Sequence, residues 1–271
     1  MKKLDFYEKV TIAGSILSFI LFLIFVKFSG ISVDYIVNIE NLVLKSLIIN
    51  TSGQNTFGAV FTVLGPFVNI FTALVLLVIS LAFASSYGYF DPDKRTGVLI
   101  GLICAAATLV LFPTIVGAFF AASVVISFIS VILFSNTYGK EFKKWTYFRV
   151  GSHSIGKGLL IINILLALGI FFAVFSNMDF YKTSLQTQLT DTLTEVILAS
   201  APSSPLINRE TVRVTVEKSV EESELFSAYF RWLPISSAFG IWILMEFLRN
   251  LVLSHVAGIF TYFFIKIYSK E

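Results

Sequence analysis

Residues 10–29 read VTIAGSILSFILFLIFVKFS, a stretch of twenty residues in which Lys27 is the only charged side chain. An apolar helix of about 20 residues has the length that crosses the hydrocarbon core of a bilayer. Lys2, Lys3 and Lys9 precede this stretch, and basic residues beside a span favour the cytoplasmic side. The run is too long for a secretory signal peptide, and no A-x-A-like cleavage site follows it. We therefore expect an uncleaved first transmembrane helix with a cytoplasmic N-terminus.

Similar apolar blocks recur along the whole chain. Hydrophobic residues make up 56% of the 271 residues and charged residues only 14%, with a mean hydropathy of +0.84. Soluble domains contain roughly 25% charged residues, so water is not the main solvent of this chain. The pattern predicts one all-α membrane domain over residues 1–271, a polytopic transmembrane helical bundle. Its six or so spans are expected near residues 10–29, 57–84, 97–112, 114–134, 158–175 and 233–265.

The last apolar block, residues 233–265, is longer than one span requires. Pro234 stands at a plausible first position of a helix, and no clear turn signal follows. A single tilted helix would return the basic C-terminal residues to the cytoplasm, as the positive-inside rule prefers. A hairpin turning near Arg249 and Asn250 is the alternative, with seven spans and an external C-terminus. We expect the plasma membrane as the location, with both termini in the cytoplasm.

Two amphipathic segments are expected on the outer side of the membrane. In residues 32–50, polar side chains recur every three or four positions, which predicts a surface helix. Residues 177–232 are rich in acidic side chains and predict an external helical hairpin with a Ser-Pro turn at Pro202 and Pro205. A short strand is the alternative at residues 212–216, where valines alternate. The expected partners are the lipid bilayer and, through residues 177–232, another protein.

Residues 151–158 read GSHSIGKG and nearly match the phosphate-binding motif G-x-x-x-x-G-K-[ST]. Gly158 stands where a hydroxyl should bind magnesium, and no strand precedes the motif. The sequence therefore predicts a flexible basic loop at the membrane surface, within residues 135–157, and not a nucleotide site.

Four polar side chains, Glu246, Arg249, Asn250 and His255, lie inside the last apolar block. Ionisable groups within a membrane are costly and usually face protein or water. Because Glu246 and Arg249 are three positions apart, they share one helix face and can neutralise each other. One interpretation is an ion pair that fixes helix packing. A second is a polar path for a solute or a proton that includes His255, and direct catalysis is a third.

Small residues recur at four-residue spacing on the third and fourth spans: Gly97, Gly101 and Ala105, then Gly117 and Ala121. Such spacing lets helices approach closely in a membrane. The pattern predicts helix packing within the protein, with an interface between copies as the alternative. The sequence leaves the oligomeric state open.

Other classes of site lack their motifs. With two histidines in different segments and Cys104 as the single cysteine, the chain is not expected to bind a metal. No G-x-S-x-G sequence frames a serine nucleophile, and the basic residues mark topology rather than nucleic-acid binding. We expect no cofactor and no catalytic residue. The leading hypothesis is a non-enzymatic scaffold or accessory subunit of a membrane complex. The alternative is a small channel or transporter with a polar path near Glu246, Arg249 and His255.

Overall fold

The computed structural model describes residues 2–30, 56–91, 93–200 and 208–269. All regular structure in these ranges is helical. The predicted surface helix at residues 32–50 and the turn at Pro202 and Pro205 lie outside the described residues. The helices are α1 (Lys2–Phe28), α2 (Thr56–Phe90), α3 (Lys94–Leu111), α4 (Ile115–Glu141), α5 (Thr146–Ser176), α6 (Met178–Ser200), α7 (Arg209–Glu222), α8 (Glu224–Leu248), a π-helical segment (Arg249–Leu253) and α9 (Ser254–Ser269).

Six helical stretches are long and apolar enough to cross a membrane. They are Phe6–Phe28, Val68–Phe90, Lys94–Leu111, Ile115–Glu141, Thr146–Ser176 and Glu224–Ser269. The all-helical class predicted from the apolar blocks is thereby confirmed for the described residues, and the protein is membrane-embedded.

In the basic region between the fourth and fifth predicted spans, the helices α4 and α5 extend beyond those spans. Since α4 continues to Glu141 and α5 begins at Thr146, only residues 142–145 interrupt the helices. The predicted loop over residues 135–157 is therefore wrong. The GSHSIGKG sequence lies within α5, so it also lacks the loop that a phosphate site of that type requires. Basic residues mark where a chain leaves the hydrocarbon core, but they do not end a helix, because Lys and Arg are good helix formers.

A tight turn at Pro113 separates α3 from α4, between the predicted spans at residues 97–112 and 114–134. The N–H of Phe112 donates to the Thr108 carbonyl at 2.8 Å and closes α3. Thr114 Oγ1 accepts a hydrogen bond from the Gly117 N–H at 3.0 Å and caps α4. The helix stops here because proline has no N–H to continue it.

The last apolar block is one continuous helical stretch from Glu224 to Ser269. The alternative with a hairpin near Arg249 and Asn250 is therefore wrong. Pro234 lies in the interior of α8 and not at its start. The first turn of α8 is instead acidic, with Glu224 as its first residue, which suits the positive end of the helix dipole.

The first of two compact units contains residues 2–30, 68–91, 93–170 and 239–269. Its core is built from large apolar side chains of five helices. Phe19, Leu77, Ile100, Phe128 and Leu159 are each at most 1% exposed. The helices of this unit therefore bury a shared interior of aromatic and aliphatic side chains.

Serine hydroxyls join helices within this unit. Ser15 on α1 and Ser80 on α2 exchange hydrogen bonds, each hydroxyl donating to the other residue's carbonyl, at 3.1 and 2.7 Å. Ser85 Oγ on α2 lies 2.8 Å from Ser135 Oγ on α4 and 3.0 Å from Ser154 Oγ on α5. A hydroxyl in apolar surroundings needs a partner, so these bonds specify how the helices align.

The second compact unit contains the described residues 56–67, 171–200 and 208–238. Within it, α6 and α7 lie side by side. Arg213 pairs with Asp191 at 3.4 Å, and Gln186, earlier in α6, donates to Glu221, later in α7, at 3.1 Å. The two helices therefore run in opposite directions. Residues 209–222 are helical, so the strand alternative there is wrong.

Candidate functional site

An ion pair lies inside the last helical stretch. Arg249 Nε donates to Glu246 Oε2 at 3.0 Å, and Arg249 Nη2 contacts Glu246 Oε1. The guanidinium and the carboxylate thus meet as a two-pronged pair, the geometry in which these groups bind most strongly. The two side chains are only 16% and 22% exposed, respectively. The pair places two opposite charges in apolar surroundings with no net charge.

Three further groups complete the arrangement, which we call the polar cluster: Glu246, Arg249, Asn250, Asn163 and the Gly156 carbonyl. Both amides donate to the Glu246 carboxylate, Asn163 from α5 at 3.4 Å and Asn250 at 3.3 Å. Arg249 Nη1 donates to the Gly156 carbonyl of α5 at 3.0 Å. Every charged group of the pair therefore has hydrogen-bond partners, and the cluster ties α5 to the last helical stretch.

The π-helical segment begins at Arg249, the residue that reaches α5. Its defining bond joins the Ser254 N–H to the Arg249 carbonyl, five residues apart. Such segments are rare, usually a single turn long, and frequent at functional sites. The local backbone therefore departs from the α-helix at the polar cluster.

Small residues let α5 and α9 approach each other beside the cluster. A Cβ added at Gly151 would lie 2.9 Å from the Ala257 carbonyl oxygen, and one at Gly258 would lie 2.9 Å from that of Phe148. A Cβ at Gly156 would meet Ser254 Oγ at 3.2 Å. The backbone of α5 is thus close enough for the Gly156 carbonyl to accept from Arg249.

Asn163 has an unused acceptor. The residue is 1% exposed, and its Oδ1 has no hydrogen-bond partner among the described residues. The sequence predicts only a packing role for Asn163, because an Asn in an apolar span is the sole signal it offers. Its contact with Glu246 joins residues 83 positions apart, so no spacing pattern along one helix predicts it. The contact of the Gly156 carbonyl with Arg249 could not be predicted from the sequence for the same reason.

The structure does not bring His255 into the polar cluster. Its side chain is exposed, on a helix surface shared with Leu251 and Ile259. Within the described part of the chain, no hydrogen bond or ion pair joins it to Glu246, Arg249 or Asn250. Of the four polar residues that the sequence singles out, three therefore meet and one lies apart.

Gly97 and Gly101 lie where α3 meets α4. A Cβ at Gly97 would lie 3.2 Å from the Ile129 Cα, and one at Gly101 only 2.8 Å from the Val125 Cα. The first distance is tighter than most real Cβ contacts, and the second is shorter than a real Cβ atom allows. These two helices therefore touch backbone to backbone at the residues where the sequence predicts close packing.

The other three small residues have different surroundings. Ala105 and Ala121 are buried, at 8% and 4% exposure. Gly117, the third residue of α4, lies against the Phe112 carbonyl of the turn that joins α3 to α4. Its small size therefore serves the turn rather than a contact between helix faces.

Asn163→Leu is expected to change the free energy of unfolding by no more than about 1 kcal/mol, because interhelical hydrogen bonds in membranes contribute little net stability. Thermal unfolding in detergent measures this. Asn250→Leu is the control, since Asn250 donates to the same carboxylate but lies in the same helical stretch as Glu246 and not on α5. A much larger loss for Asn163→Leu alone would contradict the expectation that its hydrogen bond contributes little to stability.

The chemistry available in the polar cluster is neutralisation and hydrogen bonding. In the described part of the chain, no group of three or more His, Cys, Asp or Glu residues is arranged to hold a metal ion. Cys104 is buried. Among known proteins, neither a family model nor a curated relative nor a solved structure matches the chain.

Proposed function

We propose that the protein is a non-enzymatic scaffold or accessory subunit of a membrane complex. The observation that carries this proposal is that both charged side chains of the polar cluster find their hydrogen-bond partners within the protein. Glu246 accepts from Arg249, Asn163 and Asn250, and Arg249 uses its remaining nitrogen on the Gly156 carbonyl. Charges that satisfy each other in this way fix helix packing and offer no open path for a solute.

The proposal includes a topology. The six spans pack as a bundle in the plasma membrane with both termini in the cytoplasm, and α6 and α7 form a helical hairpin on the outer side. Lys143 and Lys144 between α4 and α5 support the cytoplasmic placement of that turn. The excess of acidic side chains in residues 177–232 supports an external location for α6 and α7.

The partner surface is proposed on α7 and the first turn of α8. Val214 is 57% exposed and Leu225 is 83% exposed. Glu210, Glu217 and Glu224 are also exposed, and none has an ion-pair partner among the described residues. An apolar surface bordered by unpaired carboxylates fits a protein segment that carries basic side chains.

Photo-crosslinking in native membranes tests this surface. A photoreactive residue at Val214 or Leu225 is expected to give one discrete protein adduct, whereas the same residue at Val220, which is 2% exposed, should give none. Changing Glu210, Glu217 and Glu224 together to Lys should remove the adduct, because like charges then face the partner. The matched control is Asp179→Lys, an exposed acidic residue of α6. Equal yields from all these variants would contradict the proposal.

The alternative function is a small channel or transporter. The unpaired Oδ1 of Asn163 and the π-helical segment at Arg249 favour it. It requires that Glu246, Arg249 and His255 line one hydrated path, whereas His255 lies apart from the cluster. In this alternative, Asn163→Leu would abolish a flux in vesicles while the protein remained folded.

A further inference from the structure

The turn between α4 and α5 is strongly basic. We call residues 140–149 the basic corner. Its basic side chains, all exposed, are Lys140, Lys143, Lys144 and Arg149. Glu141 is its one acidic residue, and none of the lysines forms an ion pair within the described part of the chain. Because α4 and α5 both cross the membrane, the corner lies where they leave the hydrocarbon core.

Trp145 occupies a backbone conformation that normally belongs to glycine. Its φ is +54°, in the left-handed region, where a side chain meets steric resistance. Its side chain is also 77% exposed. A glycine would make the same turn with less strain and would expose no apolar ring to water. The tryptophan therefore gains little from the protein itself, which points to a contact outside it.

The neighbouring aromatic rings are already engaged with one another. The centroid of the Phe142 ring lies 5.3 Å from that of Tyr138, on which it stacks, and 5.1 Å from that of His153. Arg149 Cζ lies 5.6 Å from the Phe142 centroid, above the ring. These contacts hold the start of α5 against the end of α4. They leave Lys143, Lys144 and Trp145 projecting from the corner.

We propose that the basic corner binds the headgroups of anionic phospholipids. The ammonium groups of Lys143 and Lys144 contact the lipid phosphates, and the Trp145 ring lies among the headgroups, where amphipathic rings are most stable. The turn selects anionic over zwitterionic lipid because both lysines lack a carboxylate partner in the described residues. This inference rests on membrane embedding and on the cytoplasmic placement of the corner, not on the scaffold function.

Lipid selectivity is measurable with Trp145 as the reporter. The chain has three tryptophans, so Trp232→Phe with Trp242→Phe leaves Trp145 alone. This protein is reconstituted in vesicles with brominated phosphatidylglycerol or brominated phosphatidylcholine at equal mole fractions. Brominated phosphatidylglycerol is expected to quench Trp145 fluorescence more strongly, and high salt should reduce the difference, because screening weakens exposed charge pairs. Equal quenching by the two lipids would overturn the proposal.

Two sets of variants separate lipid binding from folding. Lys143→Gln with Lys144→Gln should lower the preference for phosphatidylglycerol by roughly tenfold. Lys94→Gln with Arg95→Gln, at the start of α3, is the matched control, because Asp91 and Asp93 already offset these two positive charges nearby in the sequence, and it should leave the preference unchanged. Trp145→Gly should keep or raise thermal stability in detergent, since the strain is relieved. Loss of folding in Trp145→Gly would instead assign the ring a structural role.

Native mass spectrometry of the unmodified protein provides an independent measurement. The protein released from a mixed micelle should retain phosphatidylglycerol in preference to phosphatidylcholine. The variant with Lys143→Gln and Lys144→Gln should retain both lipids equally. Retention of phosphatidylglycerol by that variant at the level of the unmodified protein would contradict the assignment to the basic corner.

Discussion

Arg249→Leu is expected to lower the free energy of unfolding by about 3–5 kcal/mol, because it leaves the Glu246 carboxylate as a poorly exposed charge without its cation. The carboxylate keeps only the amides of Asn163 and Asn250. The Gly156 carbonyl loses its contact with Arg249 as well. Reversible unfolding in mixed micelles with increasing denaturing detergent measures the change.

The matched control is the double change Glu246→Leu with Arg249→Leu. It removes both charges together, so its effect on the free energy of unfolding should stay within about 1 kcal/mol. The single change should therefore be more harmful than the double change. If the two variants lose equal stability, the pair acts through its packed volume and not through its charges. Mutual neutralisation of Glu246 and Arg249 would then not be what stabilises the polar cluster.

Gly88→Ala is expected to lower the free energy of unfolding by about 1–3 kcal/mol or more, because an added Cβ has no room. That atom would lie 2.6 Å from the Cα of Ile132 and 2.5 Å from its carbonyl oxygen. The neighbours are backbone atoms, which cannot rotate away as a side chain can. α2 and α4 would have to separate.

Gly240→Ala is the matched control for this prediction. Gly240 is also helical, but an added Cβ there would meet no atom within 4 Å. The substitution should be neutral or stabilise by up to about 1 kcal/mol, the difference in helix propensity. Thermal unfolding of both variants in one detergent makes the comparison. Similar melting temperatures for the two would show that α2 and α4 are not in backbone contact.

The spans are predictable because burial in lipid demands long apolar blocks, and these are visible in the sequence. The ends of the helices are not predictable in the same way. α5 begins at Thr146, twelve positions before the apolar block starts at Gly158. A polar helical turn outside the hydrocarbon core leaves no hydrophobic signal, and its helix propensity resembles that of a charged loop.

The polar cluster is predictable only where its contacts are local. The pairing of Glu246 with Arg249 follows from their spacing of three. The contacts of this pair with Asn163 and Gly156 cross 83 and 93 positions, so they depend on how α5 meets the last helical stretch. The spacing of nine between Glu246 and His255 does not predict whether they meet, because the π-helical segment between them changes the rotation of the helix.

The π-helical segment Arg249–Leu253 sets the rotational phase of everything that follows it. A π turn takes in one residue more than an α turn, so removal of one residue from this segment would let it close as an ordinary α turn. The face of α9 that carries Ala257 and Gly258 would then still meet α5, whereas a deletion in the α-helical turns on either side would rotate it by about 100°. The deletion of a single codon is therefore expected to be tolerated during evolution more readily within this segment than beside it.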